Sequence, residues 1–448
     1  MGRGKLAHMA NGVSRREVLR VASATWVGVT FGCGPERRDP APVAAAPTPP
    51  PAASGPAAAE PSAPEPAGVT LAGAITAVAA HRSGQRLAIA TETPDLEDGE
   101  LIVWNTETGA QVTRVTIENG AGWQGDRGLL RWAHHGERLA VAAATNMIVT
   151  LDGAEFIGDI GLDPTRDTPV LFCWVGDPDQ REGHQLYAAT WLRDGVEGAL
   201  VASDAGPVER ADAIEVDTGP SNGDFRALAW HERTRTVLGL EDDHLCGIDV
   251  STRSLRYRAP LAPARPTRGG GGPITRAFSP DGRWLGVAGV GGVGVFDGAT
   301  GAFRGMRALE PPIDAISWSR DGALAVVYGP DFRAPAHLKV FHGDGVTFTV
   351  DAAIQRHPFA LTDVHNLAWS PDGASIALIL QDGSIALYDA RTGSVRTRLD
   401  GVFPASGAGQ SDRPGILWVS PHRLIAATER ELCFLNTDGT VIARHTAA

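Results

Sequence analysis

The sequence predicts an all-β protein, an eight-bladed β-propeller, and three observations carry that prediction. First, a short strand ending in Ala-Trp or a relative, a tight turn and an apolar strand recur along residues 69–448. Second, the turns repeat their chemistry: Ser279-Pro280-Asp281-Gly282 and Ser370-Pro371-Asp372-Gly373 lead into the second strand of two units. Third, a later strand ends in an aromatic-Asp pair and a Thr-Gly turn, as in Phe296-Asp297-Gly298-Ala299-Thr300-Gly301 and Tyr388-Asp389-Ala390-Arg391-Thr392-Gly393. A period of this size implies stacked copies of one small unit, and here the unit is an antiparallel sheet.

The N-terminus comes before the repeats. Residues 14–20 read Ser14-Arg15-Arg16-Glu17-Val18-Leu19-Arg20. This resembles the twin-arginine export signal, with the paired Arg15 and Arg16, an apolar position two residues on and a basic residue after it. The apolar stretch 21–31 is shorter than the roughly 20 residues a membrane span needs, and it has the length of a signal core. It runs into Thr30-Phe31-Gly32-Cys33-Gly34, which resembles a lipoprotein cleavage box at Gly32-Cys33. That resemblance implies a lipid on the Cys33 thiol, while Thr30 and Phe31 depart from the usual aliphatic and small residues. Residues 1–33 therefore read as a signal, and 34–68 as a linker of mostly Pro and Ala. Such a linker has no core to bury and favours extended polyproline, reaching up to roughly 100 Å.

The repeats follow. The first strand of each unit ends at Ala80, Trp132, Trp174, Trp230, Phe278, Trp318, Trp369 and Trp418. Apolar second strands are expected at 87–90, 139–143, 186–190, 237–240, 284–288, 324–327, 376–380 and 424–428. Third strands are expected at 101–104, 148–151, 199–202, 244–249, 293–297, 338–341, 385–389 and 432–435. These runs are rich in β-branched and aromatic residues, as strands are. Eight units of roughly 48 residues fill 69–448, each a blade of four strands. Seven blades, with one weak repeat split in two, is the alternative. In the turns, Pro presets φ and Gly takes the positive φ. The aromatic anchors are expected to wedge between neighbouring blades.

Trp104-Asn105, Phe296-Asp297 and Tyr388-Asp389, with the Ser-Pro-Asp-Gly turns, resemble WD repeats. The same turns are similar to the propeller repeats of periplasmic TolB-like proteins. The resemblance covers about 85% of the chain and concerns the fold. No unit has the Gly-His opening pair of WD repeats. WD-repeat proteins are interaction platforms, and the resemblance implies that role here.

Composition narrows the partners. Net charge is −12, and the first 33 residues hold five basic groups against Glu17, a net +4 that leaves −16 for the remainder. That balance argues against nucleic acid as a partner, and against a membrane except through a lipid anchor. Cys173, Cys246 and Cys433 fall in apolar strands of different blades and read as buried small hydrophobes, not as a disulfide or zinc set. The thirteen His are scattered, mostly at expected surface or edge positions. Gly289-Val290-Gly291-Gly292-Val293-Gly294 matches a dinucleotide fingerprint but joins two strands, where the fingerprint has to open a helix. The acidic runs Asp95, Glu97, Asp98, Glu100 and Glu241, Asp242, Asp243 beside His244 lack calcium-loop spacing and read as solvated hairpin tips. Eight-bladed quinoproteins follow Asp-x-x-Thr-Gly with a docking Trp, and Gly305 and Thr397 stand in that place here. No cofactor, metal or catalytic residue is expected.

If the strands are lettered a to d, the a–b and c–d turns share one end of each blade and the b–c and d–a connections share the other. Most a–b and c–d connections are tight, 175–183 being the exception. Long insertions at 118–128, 217–224, 259–273, 329–337, 351–363 and 401–414 all lie at the b–c/d–a end. Binding concentrates on such loops. Aromatic and Arg side chains are preferred contact types, which makes Trp123, Phe225, Arg268, Phe332, Arg333, Phe359 and Phe403 the candidate partner-binding residues. The expectation is an exported, tethered, monomeric propeller in the periplasm or cell envelope, binding a protein or envelope polymer and not acting as an enzyme. A propeller enzyme, quinoprotein or lactonase-like, with its site in the central channel is the alternative. Replacing Arg15 and Arg16 together by Lys is expected to hold the protein in the cytoplasm. Cell fractionation checks this, and unchanged export contradicts it.

Overall fold

The computed structural model describes residues 70–447 except 93–97, 119–128, 134–137, 143–146, 151–155, 160–166, 177–184, 193–197, 205–213, 217–224, 226, 242, 265–274, 311, 330–335, 344, 353, 355–365, 404–414 and 429. Contacts divide the chain into units 1–62 and 63–448, and every described residue belongs to the second. Among the described residues the strands form eight antiparallel sheets of four consecutive strands, spanning 74–118, 129–159, 167–215, 227–260, 276–308, 313–352, 367–399 and 415–447. The eight anchor residues all fall within the last three positions of strand a. Two short 3-10 turns, Glu232–Thr234 and Ala262–Ala264, are the helical elements described.

Burial explains the strand sequences. In the fourth sheet Thr236–Leu240 and in the seventh Ser375–Ile379 are buried at every position. They lie in the interior of their sheets with another sheet on each side, so they read as continuous apolar runs and not as alternation. Strand d is the outer edge. Val395–Leu399 is mostly exposed and carries Arg396 and Arg398. Charge on an open edge discourages pairing with other chains. Near the aromatic-Asp pair the c–d pairing slips register in seven sheets, for example between Val295 and Phe296 and between Leu387 and Tyr388. Such bulges sharpen the twist of the outer strands.

Apolar burial sits between successive sheets. Ala79, Leu101 and Val103 of the first meet Leu130, Trp132 and Leu139 of the second. Leu238 and Leu245 of the fourth meet Leu285 and Phe296 of the fifth. Val293 and Val295 of the fifth meet Trp318 and Leu324 of the sixth. Similar clusters join the sixth to the seventh and the seventh to the eighth. Each fully buried Leu, Val, Ile or Phe is worth about 1.5–3 kcal/mol of transfer free energy.

The anchors add a directional bond to this burial. Trp132 Nε1 donates to the carbonyl of Ala79 at 3.0 Å, and Trp174 Nε1 to that of Arg131 at 2.7 Å. Trp318, Trp369 and Trp418 donate to the carbonyls of Ala277, Ser317 and Ala368 at 3.0, 3.2 and 3.1 Å. In every case the acceptor is the residue just before the anchor of the preceding sheet. First strands of successive sheets are thereby pinned side by side. Phe278 and Ala80 have no N–H to offer. At the junction into the fifth sheet, Tyr257 Oη donates instead to the carbonyl of Gly298 at 2.5 Å.

The eighth sheet packs on the first, through Val419, Ile425, Leu432 and Phe434 against Ile75, Leu87, Ile102 and Trp104. The strand Thr70–Leu71 pairs in parallel with Thr446–Ala447 at the outer edge of the eighth sheet, and Leu71 is fully buried in the same cluster. Arg423 Nη1 donates to the carbonyl of Thr106 at 3.0 Å across this junction. The a–b turns touch at close range. Gly282 has φ +68°, and a Cβ there would lie 2.3 Å from the Trp230 carbonyl oxygen of the preceding sheet. Gly84 has φ +72° and lies equally tight on Val419. Both positions demand glycine for conformation and for space.

Candidate functional site

The two ends of the sheets differ in chemistry. At the a–b/c–d end the polar side chains are spent on their own turns. Ser279 Oγ donates to Asp281 Oδ1 at 2.7 Å and accepts from Trp284 N at 2.8 Å. Ser370 does the same with Asp372 and Ser375 N, at 2.6 and 2.8 Å. Asp297 Oδ1 accepts from Ala299 N, Thr300 N and Thr300 Oγ1 at 3.0, 3.1 and 2.9 Å, and Arg304 Nη2 donates to Oδ2 at 2.7 Å. Asp389 repeats that set with Arg391 N, Thr392 and Arg396. The Arg396 and Thr392 hydrogen bonds hold the Asp389 carboxyl far below the usual range. At Asp297, burial pushes the carboxyl up, but the Arg304 and Thr300 bonds outweigh it and leave it low. This end is a self-satisfied scaffold.

The b–c/d–a end is built differently. In four sheets an Arg of strand d lies opposite the same position of strand c. Arg114 faces Ile102, Arg258 faces Cys246, Arg398 faces Ala386 and Arg444 faces Cys433. Each pairs with a carboxylate at or near the b–c connection: Glu100 at 2.5 Å, Glu241 at 2.8 Å, Asp382, and Glu431 at 2.7 Å. Arg398 also reaches Asp400, at 2.8 Å. These guanidinium–carboxylate pairs stiffen the roots of the connections, though the exposed ones, such as Arg398 with Asp382, contribute little stability individually. In the sixth sheet Lys339 Nζ lies 5.5 Å above the Tyr328 ring, and the His337 ring is 5.3 Å from it.

One described group has donor atoms close enough for a cation: Glu241, Asp243 and His244, within 4.8 Å of one another. Glu241 is not the solvated hairpin tip that its sequence suggested. It is buried and already holds Arg258 Nε and Nη2 at 3.0 and 2.8 Å. Asp243 pairs with His244 Nδ1 at 2.5 Å. Three cysteines are buried and free, and burial pushes the thiols of Cys173 and Cys246 up to about 12 and that of Cys433 to about 11. They stay protonated, which removes their nucleophilicity.

Two of the candidate partner-binding residues are described, and neither shows its ring to solvent. Phe225 is 1% exposed and lies so close over Gly239 that a Cβ there would come within 2.3 Å of the ring. It belongs to the core with Cys173, Trp230 and Val237. Phe403 is 7% exposed and packs with Leu399, Ile416 and Trp418 between the seventh and eighth sheets. Each side chain is long and apolar and finds a gap between sheets, so it seals its loop onto the frame. Trp123, Arg268, Phe332, Arg333 and Phe359 lie outside the described residues, as do Arg15, Arg16 and Cys33. His231 and His445 are buried. The Arg–carboxylate register was missed by sequence reasoning, although Arg at a fixed place in strand d after an acidic b–c turn was its visible signal.

Comparison with known proteins agrees with this geometry. Residues 348–401 match the WD40 domain family of anaphase-promoting complex subunit 4. No curated protein matches the sequence. Among solved structures, the chain is similar to Chaetomium thermophilum Sqt1, determined bound to the N-terminus of ribosomal protein L10. The identity is 15%, with 84% of this chain and 98% of that one covered, at a TM-score of 0.56. It is similar also to a eukaryotic initiation factor, at 14% identity, with 86% and 91% covered and a TM-score of 0.50. The likeness is one of fold, that of a β-propeller made of WD40-type repeats.

The turn carboxylates set an acid limit. Asp249, Asp297, Asp372, Asp382, Asp389 and Asp438 all have folded-state pKa values below the ordinary one. The unfolded chain therefore binds more protons, so their stabilisation is complete above about pH 4 and is lost as pH falls through the lowered values. We expect Asp389→Asn to melt earlier than wild type at pH 7 and the difference to shrink towards pH 3. Thermal melts across that range check this, and a pH-independent difference contradicts it.

Proposed function

We propose that the protein is a non-enzymatic binding scaffold: an eight-bladed propeller, exported and held at the bacterial cell envelope by its N-terminal segment. Each of the eight sheets is one blade, and the strand Thr70–Leu71 ties the start of the domain to its end. One observation carries the binding role. Outside the third sheet, the a–b/c–d end is taken up by tight turns that satisfy themselves and one another, whereas most long connections gather at the opposite end on roots stiffened by Arg–carboxylate pairs. A rigid frame that presents long loops lowers the ordering cost of binding. The partner is a protein or an envelope polymer. Sqt1, similar in fold and seen with the N-terminus of a ribosomal protein, supports a polypeptide ligand.

Export rests on the Arg15-Arg16 signal, and anchoring rests on Cys33 and the Pro/Ala-rich reach of 34–68. The folded part then stands off the membrane on its linker, without touching lipid. Phe225 and Phe403 act from beneath, holding loop bases in place. The contact residues of this reading are Trp123, Arg268, Phe332, Arg333 and Phe359.

The binding claim is tested by shortening 119–128 and 404–414, the second cut beginning after Phe403 because that ring is part of the core. We expect both variants to melt within a few degrees of wild type and to lose capture of the partner from envelope extract. A contact centred on these loops is worth about 2 kcal/mol or more per hot-spot side chain, so losing two or three such side chains weakens binding by well over a hundredfold. Full capture by both variants moves the site to the other end or to the channel.

A further inference from the structure

Seven of the eight sheets protect their outer edge. Strand d carries arginine in the first, fourth, fifth and seventh, as at Arg114, Arg256, Arg304 and Arg396. In the second and third it is only four and two residues long. In the eighth it carries Arg444 and is covered by the strand Thr70–Leu71. Charge, shortness and cover all keep an edge from pairing with another chain. The sixth sheet uses none of the three. Its strand d, Gly345–Ala352, has eight residues and no charge before Asp351. It is the last strand of its sheet, and among the described residues no strand pairs with its outer side. Val346 is 53% exposed, and Thr347 and Thr349 are exposed. Phe348 and Val350 turn inward to the core shared with the seventh sheet, and Phe348 lies so close over Gly393 that a Cβ there would come within 2.5 Å of the ring. The strand is thus held ready-formed, with one side of its backbone unpaired.

We propose that this edge is a dimer interface: a second copy of the chain adds its own strand 345–352 antiparallel, so that the protein is a dimer and not the monomer expected from its sequence. The sequence of the strand identifies the occupant. Val346-Thr347-Phe348-Thr349-Val350 reads the same in both directions. Two copies of a strand paired antiparallel are related by a two-fold axis. With the axis at Phe348, Val346 meets Val350 of the second copy, Thr347 meets Thr349, and Phe348 meets itself. Matched β-branched, hydroxyl and aromatic pairs are the kinds that stabilise adjoining strands. Asp351 falls opposite Gly345, so no like charges meet.

Two further observations agree. Residues 34–448 carry a net −16, so two copies approach most easily where neither presents charge, and this edge is such a place. The eighth sheet shows that a strand-d edge in this domain accepts a further strand, because Thr70–Leu71 pairs there with Thr446–Ala447. The register slip beside Thr347 is shared with six other sheets and does not set this edge apart. Pairing gives the outward N–H and C=O groups protein partners, the bonding by which an extended segment adds to a sheet. The dimer is independent of the partner site on the long loops.

Sedimentation equilibrium of the full chain between about 1 and 100 µM, the range in which a small interface assembles, tests this. We expect the mass to rise from one chain to two, and the rise to come at lower concentration in higher salt, because screening weakens the repulsion and not the backbone bonds. Thr347→Lys and Thr349→Lys put charge on the edge at exposed positions, so each should melt with wild type and weaken the dimer by about tenfold or more. Val112→Lys, at a 41% exposed site on strand d of the first sheet, should leave the dimer unaltered. A chain that stays monomeric, a dimer that weakens as salt rises, or one equally tight in both threonine variants overturns the proposal. If neither variant folds, hydrogen exchange of wild type decides. Amides of 345–352 should be slower at the high concentration than at the low one, and equal rates overturn the proposal.

Discussion

Five of the eight sheet junctions depend on one contact: an indole N–H at the end of strand a meeting the backbone carbonyl that precedes the anchor of the sheet before it. Apolar packing alone allows two sheets to slide, because it is non-directional. A hydrogen bond from a buried indole does not, because a slip leaves both a donor and an acceptor unsatisfied. Made by Trp132, Trp174, Trp318, Trp369 and Trp418, the contact fixes spacing and register between sheets that share no ladder bonds. Tyr257 takes over where the anchor is Phe278. Where the anchor is Ala80, the terminal strand, Arg423 and the Trp104–His445 stack do the closing.

A frame fixed at one end frees the other. Turns at the a–b/c–d end touch their neighbours so closely that Gly84 and Gly282 admit no side chain. Insertions at Gly84 or Gly282 would collide with the neighbouring sheet, so outside the third sheet length accumulates at the b–c/d–a end, where the connections leave the ladder. The asymmetry that suggests a binding face is thus a consequence of how the sheets are pinned. The Arg–carboxylate pairs along the outer strands serve the same end, by anchoring each hairpin at its root and keeping an open strand edge charged.

Much of this was legible in the sequence, and the reason is local. Strand a anchors, apolar runs such as 376–380 and the Asp-x-x-Thr-Gly turns at Asp297 and Asp389 each report conformation within a few residues, and all eight units have their anchor at the end of strand a. What was not legible depends on partners far along the chain. The acceptor for Trp318 is 41 residues away and carries no side-chain signature, being a carbonyl. Phe225 and Phe403 look in sequence like loop aromatics free to meet a ligand. Only the gap beneath them, made by other sheets, decides that they turn inward. Glu241 was misread as solvated for the same reason, since burial is set by neighbours that no local pattern names.

The pinning contact is tested most directly at Trp318, which combines a described donor, a described acceptor and a well-packed junction. Trp318→Phe keeps most of the apolar bulk and removes the N–H. Urea unfolding should then show a loss of about 1–2 kcal/mol, the worth of one hydrogen bond plus a half-buried carbonyl left without its donor. An unchanged unfolding midpoint and slope would contradict the account, because the sheets would then be held by apolar packing alone.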